Sequence, residues 1–259
     1  MTFCQRNYMS KNYISGNSMP LVSIITVVFN DKAFLEGSIN SILQQTYRNI
    51  EYIIIDGGST DGTVDIIKKY SSKITYWISE PDKGIYDAMN KGIAASKGDY
   101  LWFINSGDQI YAEDTLEKTV QGCKTPADIY YGETEIVDES GNKLRMRRHK
   151  APEILTWKSF RTGMMVSHQS IIVKKNLAPF YDLKYKVSAD IDWCLKILKK
   201  SDIICNTNLI LSKIINQGFS KKFQKTSLKE RFWIMSKNYG FFTTLFYHFI
   251  IAVRFLFIR

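Results

Sequence analysis

The sequence predicts an α/β protein in which a mostly parallel sheet is flanked by helices. Three observations carry that expectation. Four runs rich in β-branched and aromatic residues (LVSIITVVF, EYIIID, ITYWISE and DYLWFIN) alternate with stretches of helical spacing, the rhythm of βαβ units. Polar loops follow the second and fourth runs, and open sheets of this kind collect ligands at the carboxyl ends of their strands. A chain of 259 residues, 45% hydrophobic and 23% charged, has enough apolar material for one large core.

Taken in order, residues 1–19 are polar and patternless and are expected to form a loose extension. Met19-Pro20 then opens the first buried strand. The next segment, DKAFLEGSINSILQQTYRN, sets Phe34, Leu35, Ile39, Ile42 and Leu43 at helical spacing. EYIIID is a second buried strand ending in the loop GGSTDG, with Ser59 or Asp61 as N-cap of the short helix TVDIIKKY. ITYWISE is the third strand. IYDAMNKGIAAS is a helix stopped near Gly98, and DYLWFIN is the fourth strand, ending at SGDQ. Past about residue 127 the rhythm changes. A hairpin is expected to turn at Glu139–Asn142, HQSIIVKK reads as a strand, and SADIDWCLKILKK reads as a helix with Ile191, Leu195 and Leu198 on one side.

Composition excludes several classes. Five prolines and fifteen glycines rule out collagen-like and low-complexity chains. Cys4, Cys123, Cys194 and Cys205 have no CxxC spacing and are read as reduced thiols in a cytoplasmic protein. No apolar secretory segment is visible at the N-terminus. The net charge of +10 is not spread evenly: residues 1–183 carry 21 basic and 21 acidic side chains, residues 184–259 carry 14 and 4. The whole excess therefore lies in the last third, which predicts an anionic partner there.

Four places offer chemistry. Gly57–Thr63 has the GxxxxG spacing of a phosphate loop, but Thr63 stands where that motif requires Lys, and no GxGxxG exists. Asp56, ending the second strand, is placed to accept hydrogen bonds from a nucleobase or ribose. In Asn105-Ser106-Gly107-Asp108 the aspartate is either an oxygen ligand for Mg²⁺ or Mn²⁺ or the cap of a helix beginning near Ala112. In Ser188-Ala189-Asp190-Ile191-Asp192-Trp193, acidic residues are favoured by the helix dipole alone, yet Asp190 also suits a general base. His168 is read either as a structural hydrogen-bonder or as a group of the site; His149, His168 and His248 have no metal-ligand spacing.

As a set, VSIITVVFND, IIIDGGSTDGT, SEPDKGIYDAMNKGIAASKGDYLWFINSGD and SADIDWCLKI resemble the family 2 glycosyltransferases over about residues 20–200. The similarity is closest to the bacterial branch that builds O-antigen, capsule and exopolysaccharide units. The resemblance implies a GT-A fold, with a Rossmann-like sheet over residues 20–215. Its nucleotide-sugar half would lie at about 20–110 and its acceptor half at about 111–215. It further implies a nucleotide-sugar donor, most often a UDP-sugar, a divalent Mn²⁺ or Mg²⁺, and inversion at the anomeric carbon. Carried over by position, Val28, Asn30, Asp56, Lys83, Asn105 and Ser106 would meet the donor, Asp108 the metal, and His168 and Gln169 the acceptor. Asp190 would be the base, with Asp192 in reserve. The chain departs from the family's acidic motif at Asn105 and Gly107, leaving Asp108 as its one carboxylate. A nucleotidyltransferase, or a non-catalytic sugar-nucleotide-binding assembly subunit, are the competing readings.

Residues 216–259 form a basic and apolar helical appendage: Lys221, Lys222, Lys225, Lys229, Arg231 and Lys237 precede FFTTLFYHFIIAVRFLFI. That stretch contains His248 and Arg254, so a helix lying in the membrane interface is expected rather than a spanning one. A helix packed on the core is the competing reading. No nucleic-acid motif accompanies the basic residues. The chain is thus expected at the cytoplasmic, inner face of the plasma membrane, with a glycan or lipid-linked oligosaccharide as acceptor.

Overall fold

The computed structural model describes residues 19–123, 125–216 and 223–257. The expected extension up to Ser18, Cys4, and Lys221 and Lys222 of the basic run lie outside the described residues.

The four β-branched runs form parallel strands β1 (Val22–Val28), β2 (Ile50–Asp56), β3 (Tyr76–Ser79) and β4 (Tyr100–Phe103), linked by α1 (Lys32–Leu43), α2 (Thr63–Lys69) and α3 (Ile85–Ala95). β1 is buried along its whole length, as a central parallel strand covered on both faces must be. Its side chains alternate. Ile25 and Val27 join Ile53, Ile55, Met89 and Ile93 on one face, while Ile24 and Val28 join Leu35, Ile39 and Ile42 on the other. Helix α3 sits close because Gly92 lies against β1; a Cβ there would stand 2.4 Å from Ile25 Cγ2.

Beyond β4 the sheet continues with the later elements: β5 (Gln109–Ile110), α4 (Thr115–Gln121), β6 (Ile129–Val137), β7 (Lys143–Met146), β8 (Ile171–Lys174), α5 (Ala189–Lys200) and β9 (Ile204–Ile215). The strand order is β3-β2-β1-β4-β8-β6-β9-β5, with β7 paired to β6. One nine-stranded sheet therefore runs through both halves. The expected hairpin is β6–β7, its turn held by Asp138, which accepts from the amides of Ser140 and Asn142.

Three expectations need correction. The helix expected near Ala112 begins at Thr115 with Asp114 at its N-cap position, so Asp108 caps nothing. The strand read from HQSIIVKK starts only at Ile171, because His168–Ser170 form a 3₁₀ turn. Cys123 and Cys205 are joined in a disulfide with Cα atoms 6.7 Å apart, tying the end of α4 to β9, while Cys194 is free and buried. Their 82-residue separation carries no sequence signal, since fold closure alone brings them together.

The C-terminal appendage is two helices, α6 (Gln224–Tyr239) and α7 (Phe241–Phe257). Tyr239 stacks on Trp157 with ring centroids 5.4 Å apart, docking the end of α6 on the 3₁₀ helix Trp157–Thr162. Large apolar side chains are exposed on both helices: Leu228, Trp233, Phe242, Phe246 and Phe249 are all more than half exposed. Among the described residues no helix is long and apolar enough to cross a membrane.

Candidate active site

At the carboxyl edge of the parallel strands, Val28 stands opposite Asp56, and Asp56 opposite Ser79. The Asp56 carboxylate is fully buried and organises its own loop. It accepts from the amides of Gly58 (3.1 Å) and Ser59 (2.9 Å) and from the hydroxyls of Ser59 and Ser79. Asn30 takes a left-handed φ of 48°, a conformation asparagine tolerates. Its Oδ1 accepts from Thr60 N (2.8 Å), while its own amide donates to Ser59 Oγ (2.7 Å). The loops after β1 and β2 are thereby locked together. Neither Ser59 nor Asp61 is the N-cap of α2: Gly62 holds that position at a φ of 95°, and Asp61 before it accepts from Thr63 N at 2.9 Å. Gly57 lies close under Asp82: a Cβ there would stand 2.5 Å from Asp82 Oδ2, so that carboxylate would have to shift. Lys83 is exposed on this rim, and its amide donates to Asp87 Oδ2 at the start of α3.

The Asn105–Asp108 loop is pinned to α1: Ser38 Oγ donates to Asn105 O (3.3 Å) and accepts from Gly107 N (3.0 Å). Asp108 is buried. Burial pushes its carboxyl up to about 7 despite a hydrogen bond from Gln169 Nε2 (2.9 Å) and the charge of His168, and the neighbouring Asp31 carboxylate adds to the rise. Asn105 Oδ1 and Ser106 Oγ are buried beside it with no hydrogen-bond partner. Among the described residues no three His, Cys, Asp or Glu side chains converge on one point. This donor set does not hold a divalent cation by itself. It fits one shared with the diphosphate of a bound donor, because Asp108, the unpartnered Asn105 oxygen and phosphate oxygens together give the hard oxygen ligands that Mg²⁺ and Mn²⁺ take.

Residues 168 and 169 are the hinge of the site. Trp102 Nε1 donates to Gln169 O at 2.8 Å, fixing the 3₁₀ turn to β4. From there Gln169 reaches Asp108 while His168 Nδ1 faces Asp190 Oδ2 at 3.7 Å. Adjacent residues thus link the Asp108 and Asp190 carboxylates. His168 Nε2 is buried and unpartnered. Asp190 opens α5 with a side chain 19% exposed. Burial would raise its carboxyl, but His168 and the charge of Arg231 outweigh that and hold it below the usual carboxylate range. Asp192, in contrast, is buried and ion-paired with Lys196 at 2.6 Å.

Four further residues shape the site without standing out in the sequence. Asp31 faces the Asn105–Asp108 loop from the start of α1; a Cβ on Gly107 would lie 3.9 Å from its Oδ2. Tyr86, three residues after Lys83, donates to Asp190 Oδ1 at 3.3 Å. Arg147 donates to the carbonyls of Met164 (2.6 Å) and Met165 (2.9 Å) with its charge near Asp190. Arg231, read above with the lipid-facing basic run, has its Nε buried and unpartnered. All four act across long stretches of chain, so no local period marks them.

The chain is similar to known glycosyltransferases. The family model for glycosyl transferase family 2 matches residues 23–177. An uncharacterized glycosyltransferase of Mycobacterium tuberculosis is 35% identical over 185 residues, covering 69% of each chain. A Mycobacterium bovis glycosyltransferase named for PGL/p-HBAD biosynthesis is 30% identical over 194 residues, covering 71% of this chain and 72% of that one. Among solved structures, S. aureus TarS 1-349 superposes with a TM-score of 0.68 at 17% identity, over 90% of this chain and 72% of that one. The mannosyltransferase of Pyrobaculum calidifontis, in complex with GDP-Man and Mn²⁺, superposes with a TM-score of 0.60 at 14% identity, over 92% and 76%. The fold is thus of the GT-A glycosyltransferase type, and the match of the family model over more than half of the chain, together with relatives at this identity, makes the protein a member of glycosyl transferase family 2.

Proposed function

We propose that the protein is an inverting glycosyltransferase that moves a hexosyl or N-acetylhexosaminyl group from a nucleoside diphosphate sugar, most readily a UDP-sugar, to a hydroxyl of a lipid-linked glycan. The observation that carries this reading is the His168-Gln169 hinge, which connects Asp108 on the donor side to Asp190 on the acceptor side. TarS has been solved with UDP-GlcNAc, which supports a donor of that class.

Charge placement supplies the mechanism. Asp190, held ionised, takes the proton of the acceptor hydroxyl as its oxygen attacks the anomeric carbon. The bond from that carbon to the diphosphate oxygen breaks on the opposite face, giving inversion in one displacement. Base assistance of this kind contributes about 10²–10⁴-fold. His168 and Tyr86 orient the carboxylate, and Lys83 lies on the donor rim to face the departing diphosphate. A divalent cation bound at Asp108, with Asn105 and Ser106 beside it, would offset the charge of that diphosphate.

Domain roles follow: residues 20–110 hold the donor, 111–215 the acceptor side, and 216–259 the membrane. The exposed aromatic surface of α6–α7 with Lys225, Lys229 and Lys237 supports a peripheral address on the inner face of the plasma membrane, suited to a surface-polysaccharide acceptor such as an O-antigen unit. A panel of nucleotide sugars offered with lipid-linked acceptors, read by product mass, tests the function. One donor should give a product heavier by one glycosyl residue with release of nucleoside diphosphate. Release of pyrophosphate, or donor binding without turnover, would contradict it.

A further inference from the structure

The turn that delivers Asp190 is held from outside the catalytic sheet. Helix α5 lacks the usual local cap: Ser188 at its N-cap position makes no side-chain bond to the helix. Its hydroxyl turns instead to Ser227 Oγ of α6 at 3.2 Å. One carboxylate holds the segment that leads into the helix. Glu230, one turn further along α6, accepts from the amides of Lys186 (2.7 Å), Val187 (2.9 Å) and Ser188 (2.9 Å). Three successive N–H groups directed at one carboxylate make a strong, charge-assisted clamp. On the other side of the same turn, Tyr86 Oη donates to Val187 O at 2.8 Å and to Asp190 itself. Arg231, the next residue of α6, places its charge on Asp190.

We propose that Glu230 is a positioning residue for catalysis. By clamping residues 186–188 it sets the start of α5, and so the place of the Asp190 carboxylate between His168 and Tyr86; the C-terminal appendage therefore completes the acceptor side of the site. The inference rests on the reading of Asp190 as the base. An effect on turnover and none on donor binding is expected, because Glu230 hydrogen-bonds Lys186, Val187 and Ser188 rather than the donor rim. A displacement of about 1 Å at a reacting group costs about 10²-fold.

The test is a double-mutant cycle on the full chain. Glu230→Gln preserves volume but replaces one acceptor oxygen by an amide that cannot accept from the backbone. It should lower kcat at least about tenfold while nucleotide-sugar affinity, measured by calorimetry, stays within about twofold. Placed on Asp190→Asn, it should remove no more than about a further twofold, because the base it positions is already gone. A merely structural role would lower transfer equally in both backgrounds and would overturn the inference, as would wild-type kcat in folded Glu230→Gln. If Glu230→Gln does not fold by circular dichroism, Glu230→Asp, which keeps the charge but withdraws the carboxylate by one methylene, decides in its place: a loss of kcat with unchanged donor affinity supports the clamp, and wild-type kcat overturns it. Full activity of Asp190→Asn would sink the base reading, whereas an inactive Asp190→Asn beside a fully active Glu230→Gln would sink only this one.

Discussion

Asp108 and Asp190 are two carboxylates with opposite settings. Asp190 faces His168 and the charge of Arg231, which hold it ionised, as a base requires. Asp108 is buried and close to Asp31, which raises its carboxyl to about 7. A buried acid whose folded value lies above its unfolded one stabilises the fold fully at low pH and loses that contribution as pH rises through the folded value. Asp108→Asn removes this titration. The variant should therefore melt above the wild type at pH 8, by about 2–4 kcal/mol in stability, with the gap closing toward pH 4. Thermal scans across that range check it; a constant gap at every pH would mean that Asp108 does not titrate in the window. Which residues carry these settings was legible only in part. Asp56, Asp108 and Asp190 sit at the ends of strongly patterned segments and could be picked out by position. Asp31, Tyr86 and Arg231 could not, because their partners lie far away along the chain.

At the scale of elements, the parallel half was readable because its strands are buried on both faces and appear as unbroken β-branched runs. The antiparallel half was less so. β9 (Ile204–Ile215) mixes Asn206, Thr207 and Asn208 with apolar residues and is only partly buried, so no clean alternation announced it. Nor did β5, a strand of two residues. The join between β6 and β9 depends on Gly132, where a Cβ would stand 2.4 Å from Leu209 O and 2.8 Å from Leu211 Cγ. Backbone cannot yield as a flexible side chain can. Gly132→Ala should thus cost about 1–3 kcal/mol, seen as a lower denaturant midpoint, and an unchanged midpoint would show that the strands separate freely. The disulfide between Cys123 and Cys205 belongs to the same lesson, since it depends on β9 passing the end of α4.

Across the whole molecule, one sheet brings the Asp108 loop and the Asp190 helix together at His168-Gln169, and Glu230 of the appendage holds the segment that leads into that helix. The concentration of the entire +10 charge after residue 183 predicts an anionic partner for the C-terminal third; nothing in it announces that Glu230 of α6 accepts from the amides of residues 186–188. If the appendage meets lipid, the triple variant Phe242→Ser, Phe246→Ser, Phe249→Ser should lose flotation with anionic vesicles at low salt while keeping its melting temperature, because these rings are 83%, 60% and 67% exposed. Undiminished flotation would place the contact elsewhere. In the proposed mechanism Asp190 is the base, and both halves converge on it. The most direct test of that role is single-turnover transfer by Asp190→Asn with nucleotide-sugar affinity measured on the same sample. Affinity should stay within about twofold of wild type and transfer should slow by at least about 10²-fold; transfer at the wild-type rate would contradict the role given to Asp190.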